Sequence, residues 1–300
     1  MGEKSKTRER DKSMKAEEIR KVLIAGAGTM GKVIGLPCAL SGCAVCLYDL
    51  KEEILVKARE NLTAKIDQMA AAGQIVGQTA EAVKSRITIT TDLAAAGAEA
   101  DLVSESIPED PEIKGNFFSS LNGLCPERTI FTTNTSSLTP SMFAERTGRP
   151  DRFLAWHFHP GFKLVDVMGH PGTAPDVIET VRRFSELIHH SPIVLKREKA
   201  GYLFNSLLNP WLLAALNLVS RDIATPEDVD RSWTEITAMP VGPFALMDYI
   251  GLETVWRITD FWARRRNDAQ AQKSADLLKQ YVDRGELGMK SGKGFYTYTP

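Results

Sequence analysis

A chain of 300 residues is long enough for one large domain or two ordinary ones. Its 43% hydrophobic and 25% charged content is that of a soluble globular protein. The formal net charge of −1 supplies no global field toward nucleic acid or an anionic membrane, so neither is expected as a partner. The first twenty residues, MGEKSKTRERDKSMKAEEIR, lack an apolar stretch and mix acids among bases, against a secretory signal or a transit peptide. Residues 1–17 read as a flexible extension, and four cysteines fit a reduced, cytoplasmic location.

The run Val22–Ala25 reads as a strand, and GAGTMG follows it with Gly26, Gly28 and Gly31. Gly26 permits the tight turn, Gly28 lets backbone approach a pyrophosphate, and Gly31 lets the next helix pack close to the strand. That helix, near 29–41, offers unpaired N–H groups and a positive dipole end to phosphates. Thr29 and Met30 lie in this first turn and join the cofactor candidates. A second strand near 44–49 ends in Asp49, 23 residues after Gly26, where a carboxylate can accept both ribose hydroxyls. A 2′-phosphate would meet negative charge there, so NAD is expected over NADP. Cys43-x-x-Cys46 falls within this strand with no second pair or histidine nearby, and it reads as buried packing.

Further strands are expected near 86–90, 101–105, 128–133, 152–157, 163–168 and 192–196. Helices fall near 51–72, 112–123 and 174–189, with a turn or helix near 79–85. Such alternation predicts an α/β, Rossmann-like doubly wound sheet over residues 18–198. After Lys196 the strand signals stop. Helical patterns near 201–221, 226–237, 243–265 and 270–284 predict an all-α C-terminal domain over 199–300. The apolar segment 202–219 is interrupted by Asn205, Ser206, Asn209, Pro210 and Asn217, which marks a buried helix and not a membrane span. Ligands are expected at the carboxyl ends of the strands, in the crevice between the two domains.

Several polar stretches stand at strand ends or at the first turn after the crossover. They are Asn134–Leu138 (NTSSL), Trp156–Pro160 (WHFHP), Lys163–Val167 (KLVDV) and Gly201–Asn205 (GYLFN). With GAGTMG, Asp49, the segment Glu105–Lys114 (ESIPEDPEIK), Gly242-Pro243-Phe244, Asp248–Leu252 and the ending KSGKGFY, the chain resembles the L-3-hydroxyacyl-CoA dehydrogenase family from about residue 18 to 298. The resemblance implies an NAD-dependent oxidoreductase interconverting an L-3-hydroxyacyl thioester, with CoA as the expected handle, and the 3-oxoacyl thioester. His157 would be the general base, a task suited to imidazole near neutrality. Asp166 would hold the other ring nitrogen and stabilise the imidazolium. Ser136 and Asn205 would hydrogen-bond the reacting oxygen or the thioester carbonyl. Glu105 and Lys114, with Asn134 among the cofactor residues, would line the nicotinamide side. The resemblance also implies a homodimer through the helical domain, where segments 202–219 and 243–257 carry more large apolar side chains than one core needs.

Two departures from the family stand out. The family has a glutamate twelve residues after the histidine, whereas Asp166 follows His157 by nine. The family reads H-F-x-N-P, whereas His159 precedes Pro160 here. A related enzyme of a free 3-hydroxy acid, a sugar acid or a carrier-bound thioester is therefore the alternative, and a non-catalytic NAD-binding regulatory or structural protein is the alternative from another class. No metal site is expected: His189-His190 reads as helix-end dipole compensation and His170-Pro171-Gly172 as a turn. Lys57 and Lys65 read as a solvated helix face, and Trp211, Trp233, Trp256 and Trp262 as helical core.

Overall fold

In the computed structural model, which describes residues 14–298, the chain divides into two units, Met1–Tyr202 and Leu203–Pro300. The first carries β1 (Lys21–Ala25), α1 (Thr29–Leu40), β2 (Ala44–Tyr48), α2 (Glu52–Ala71), α3 (Ala80–Lys84), β3 (Ile87–Thr90), α4 (Leu93–Gly97) and β4 (Leu102–Glu105). It continues through α5 (Pro111–Asn122), β5 (Ile130–Thr133), β6 (Phe153–Phe158), β7 (Leu164–Gly169), α6 (Pro175–Leu187) and β8 (Ser191–Val194). The strands form one sheet in the order β3-β2-β1-β4-β5-β6-β7-β8. Neighbours are parallel except β6 and β7, which a short turn joins as an antiparallel pair. Parallel neighbours need a crossover, whereas five residues suffice for a hairpin. The order reverses between β1 and β4, and at such a switch point doubly wound sheets bind ligands.

Both faces of the sheet are covered, which is why its strands read as continuous apolar runs. Along β1, Val22 and Ile24 pack into one core cluster with Leu102 and Trp156, while Leu23 and Ala25 pack into the other with Phe118 and Phe131. Strand α/β alternation matches the sequence reading closely. One helix is additional: α4, where Asp92 Oδ1 accepts the N–H groups of Ala94 and Ala95 as an N-cap. The proposed extension, residues 1–17, lies mostly outside the described residues. Its last part packs, however: Met14 and Ala16 are buried, and Thr180 Oγ1 donates to the Met14 carbonyl at 2.8 Å.

The second unit holds α7 (Phe204–Ser220), α8 (Pro226–Thr237), α9 (Pro243–Ile250), α10 (Leu252–Arg266) and α11 (Ala269–Asp283). The single helix expected over 243–265 is two, because Gly251 adopts φ +99° and breaks it. The four tryptophans are half-buried, and of them Trp211 and Trp256 pack against this core without filling it. Two buried aspartates organise the unit. Asp230 accepts the Phe244 and Ala245 N–H groups at 2.8 and 2.9 Å and so caps α9. Asp248 accepts the Phe295 and Tyr296 N–H groups and the Tyr298 hydroxyl at 2.9–3.0 Å. Among the described residues no helix is long and apolar enough to cross a membrane.

A Cβ on Gly294 would overlap Asp248 Oδ1, whereas one on Gly123 would meet nothing within 4 Å. Gly294→Ala should therefore cost about 1–3 kcal/mol by overpacking, while Gly123→Ala should be neutral or stabilising by up to about 1 kcal/mol. Urea denaturation of the two variants checks this; equal midpoints would contradict the role given to Asp248.

Candidate active site

The glycine loop is built as its sequence implies. Gly26 has φ +97°, and a Cβ there would stand 2.6 Å from the Ser106 carbonyl oxygen. A Cβ on Gly31 would overlap the Gly26 carbonyl oxygen. At the start of α1, Gly28 offers no side-chain cap, and a Cβ on it would project into open space. This leaves backbone N–H groups and the helix dipole facing a cradle that a side chain would fill. Thr29 is exposed and Met30 half-buried beside the loop. Asp49 does more than close β2. Its Oδ2 accepts the Ala27 N–H at 3.0 Å and its Oδ1 the Lys51 N–H at 3.3 Å, so the acid also ties the loop down. The residues present fit a dinucleotide.

Next to this loop, at the end of β4, lies a buried ion pair. Lys114 Nζ stands 2.6 Å from Glu105 Oε1, and the two side chains are 1% and 0% exposed. Glu105 also accepts the Ile107 N–H at 2.8 Å and the Thr133 hydroxyl at 2.6 Å. Burial raises the Glu105 carboxyl above its usual range against the opposing pull of Lys114, Thr133 and Ile107. Lys114 reaches a second acid, Glu109, at 3.2 Å.

Glu109 is the residue that sequence reasoning missed, although it lies inside the Glu105–Lys114 segment. Its Oε1 accepts the Thr135 hydroxyl at 2.5 Å, the Ser136 and Ser137 N–H groups at 3.0 Å, and the Ser137 hydroxyl at 2.8 Å. Burial pushes its carboxyl up, but the Lys114 charge and these donors hold it below the usual carboxylate range. The 134–138 loop is thus folded around one carboxylate. Ser137 is used up in that structure, while the exposed Ser136 has no side-chain partner among the described residues. Asn134 Oδ1 accepts the Phe158 N–H at 2.8 Å, which fixes the backbone next to His157.

His157 and Asp166 face each other directly across β6 and β7. His157 Nδ1 lies 3.2 Å from Asp166 Oδ2, and His159 Nε2 lies 2.9 Å from the same oxygen. For both to be hydrogen bonds each nitrogen must carry its proton, which leaves Nε2 of neutral His157 as the bare, basic nitrogen. Burial alone would raise the Asp166 carboxyl, but the hydrogen bonds and charges of the two histidines hold it below its usual range. Tyr202 lies flat on the His157 ring, with centroids 4.4 Å apart and planes 6° apart. Its hydroxyl donates to the Thr135 carbonyl at 2.7 Å, and its φ of +51° is a strained conformation for a non-glycine residue. The sequence pointed to none of these contacts of His159 and Tyr202, since each meets its partner only once the hairpin and the loop after β8 are folded.

The structure therefore brings His157, Asp166, Asn134, Glu105 and Lys114 into one network and places Ser136 on its loop. Gly26, Gly28, Gly31 and Asp49 form the second cluster. Asn205 stands half-buried in the first turn of α7, in the second unit. The shorter hairpin does not separate the histidine from its acid: Asp166 is nine residues from His157 in sequence and opposite it in register.

Residues 21–198 match the family model described as 3-hydroxyacyl-CoA dehydrogenase, NAD binding domain, and residues 201–298 match the one described as 3-hydroxyacyl-CoA dehydrogenase, C-terminal domain. The chain belongs to this family. It is an NAD-dependent oxidoreductase acting on a CH–OH group, which removes the non-catalytic alternative. The mitochondrial hydroxyacyl-coenzyme A dehydrogenase of Homo sapiens is 34% identical over 288 residues, covering 93% of this chain and 91% of that one. Among solved structures, a diketoreductase acting on dicarbonyl compounds is 37% identical with a TM-score of 0.85, covering 93% of this chain and 99% of that one. The (S)-3-hydroxybutyryl-CoA dehydrogenase of Ralstonia eutropha is 28% identical with a TM-score of 0.83, covering 94% and 100%.

Asp49 generates a prediction for this dehydrogenase. NAD(H) should bind at least tenfold tighter than NADP(H), a difference of about 1.4 kcal/mol or more. Asp49→Ala should narrow that gap, because the 2′-phosphate no longer meets a carboxylate. Fluorescence titration of both reduced cofactors checks this, and equal wild-type affinities would count against it.

Proposed function

We propose that this dehydrogenase interconverts an L-3-hydroxyacyl-CoA and the 3-oxoacyl-CoA, with His157 as general base and Asp166 as its partner. The observation that carries the reading is the fixed His157 ring: Nδ1 held by Asp166 at 3.2 Å, one face covered by Tyr202, and Nε2 left to take a proton. Bound NAD supplies the acceptor for the hydride. His157 Nε2 takes the hydroxyl proton as the carbonyl forms, and the anionic Asp166 stabilises the resulting imidazolium. Ser136 and Asn205 are the proposed donors to the reacting oxygen. Gly26, Gly28, Thr29, Met30, Gly31, Asp49 and Asn134 are the proposed cofactor contacts, with Glu105 and Lys114 supporting them from within the fold.

A second reading, a free dicarbonyl or hydroxy acid as substrate, is favoured by one finding: the similar diketoreductase acts on dicarbonyl compounds. NADH oxidation with acetoacetyl-CoA, a longer 3-oxoacyl-CoA, a carrier-bound thioester and free 3-oxo acids separates the two. A preference for the free acids would overturn the thioester reading.

We also propose a cytoplasmic homodimer. The helices of the second unit expose large apolar side chains, among them Leu207 at 74%, Ile236 at 82%, Tyr249 at 69% and Phe261 at 54%. Such surface is what a two-fold apolar interface covers. Sedimentation should give a dimer mass; a monomer at all concentrations would refute the assembly.

His157→Ala should lower turnover by at least about a hundredfold, since proton transfer contributes about 10²–10⁴-fold, while NADH affinity stays nearly unchanged. Asp166→Asn should act in the same direction, because an amide cannot stabilise the imidazolium as a carboxylate does. Asp166→Glu should also lose activity, because Asp166 already stands opposite His157 and one more methylene overshoots it. A folded His157→Ala variant with near-normal turnover would remove the mechanism.

A further inference from the structure

The side chains that hold the proposed base are also a metal-ligand set. His157, His159 and Asp166 each offer one ligand atom, and these atoms all lie within 4.8 Å of one another. His157 Nδ1 and His159 Nε2 stand 3.2 and 2.9 Å from Asp166 Oδ2. Ligands about 2.0–2.1 Å from a tetrahedral Zn²⁺ stand roughly 3.3 Å apart, so these atoms already sit near the edges of such a tetrahedron. Two imidazoles and one carboxylate with a fourth position open to water is a donor set that Zn²⁺ and Co²⁺ favour over Mg²⁺ or Ca²⁺. All three residues come from one hairpin, on which His157 faces Asp166 and His159 follows two residues on. The side chains are 8%, 13% and 1% exposed, and His159 borders the exposed turn Pro160–Lys163, so the cluster is enclosed but reachable.

We propose that this cluster binds one divalent transition ion, Zn²⁺ or Co²⁺, and that the bound ion reversibly switches the dehydrogenase off. The inference rests on the reading of His157 as the base. Binding moves the two N–H protons now directed at Asp166: each imidazole stays neutral by carrying its proton on the other ring nitrogen, Nε2 of His157 and Nδ1 of His159, with no net proton release and no change of oxidation state. Nδ1 and Nε2 lie on opposite sides of the ring. The ion therefore sits away from the nitrogen that takes the substrate proton and does not reach the reacting oxygen as a Lewis acid. Instead, Nε2 of the metal-bound His157 carries the ring proton and cannot take one from the substrate, and the ion withdraws Asp166 from its role as partner.

The test uses the full chain, stripped with EDTA and dialysed against ZnCl₂ or CoCl₂. One equivalent of Zn²⁺ should bind, Co²⁺ should give the visible absorption of a tetrahedral site, and acetoacetyl-CoA reduction should fall and recover on chelation. His159→Asn should weaken ion binding by more than the about 10–100-fold that even an outer-sphere partner costs, and should lose the inhibition relative to its own metal-free rate. His159→Cys, which offers a thiolate instead, should keep the ion. No binding by wild type, undiminished binding by a folded His159→Asn variant, or binding with no effect on turnover would overturn the proposal. The base reading fails separately: His157→Ala with normal metal-free turnover would remove it whatever the ion does.

Discussion

One oxygen atom, Oδ2 of Asp166, takes an N–H from each of two imidazoles, and the arrangement around the proposed base follows from that sharing. A carboxylate buried to 1% exposure is costly unless donors satisfy it. Two imidazole donors do so and hold it anionic in spite of burial. In return they lose freedom: the His157 ring is fixed in tautomer and orientation, and Tyr202 closes its face. None of this needs a long loop. An antiparallel pair places opposite residues within side-chain reach, so a tight hairpin and a short acid achieve what a longer loop and a longer acid would.

The proposed base is connected to the interior by a continuous series of contacts. Glu105 pairs with Lys114, Lys114 reaches Glu109, and Glu109 holds the Thr135 hydroxyl. The Thr135 carbonyl then accepts the Tyr202 hydroxyl, and Tyr202 stacks on His157. Breaking a buried ion pair by removing one partner is far more costly than the pair is worth intact. Losing Lys114 would leave two acids facing each other and loosen the loop that anchors Tyr202. Glu105 and Lys114 thus bear on the placement of Tyr202 and His157 while having almost no surface of their own.

The glycine loop was legible because its chemistry is local: each glycine answers a constraint from backbone within a few residues or from the adjacent strand. The sheet was legible because apolar runs and turns alternate along the chain. What escaped was set by tertiary pairing. His159 and Asp166 meet only through the β6–β7 register, and Glu109 becomes central only because the 134–138 loop wraps around it. Helix α4 escaped because a five-residue alanine-rich segment carries too little periodicity, with Asp92 its one signal. The break at Gly251 was hidden because the apolar pattern runs across it and only the backbone reveals φ +99°. The departures from the family pattern at 159 and 166 look like two separate anomalies in the sequence. In the fold they are one feature, since the two side chains bond each other.

Four carboxylates serve this site, and they differ in what satisfies them. Asp49 is held by backbone N–H groups. Glu109 is held by backbone, hydroxyls and a lysine, and Glu105 by a lysine, a hydroxyl and a backbone N–H. None of those donors is an imidazole. Asp166 alone is held by imidazoles, the side chain best suited to acid–base work. It is therefore the one acid of the four whose partner suits the proposed proton transfer. That contrast in partners is what favours His157 as the proposed base.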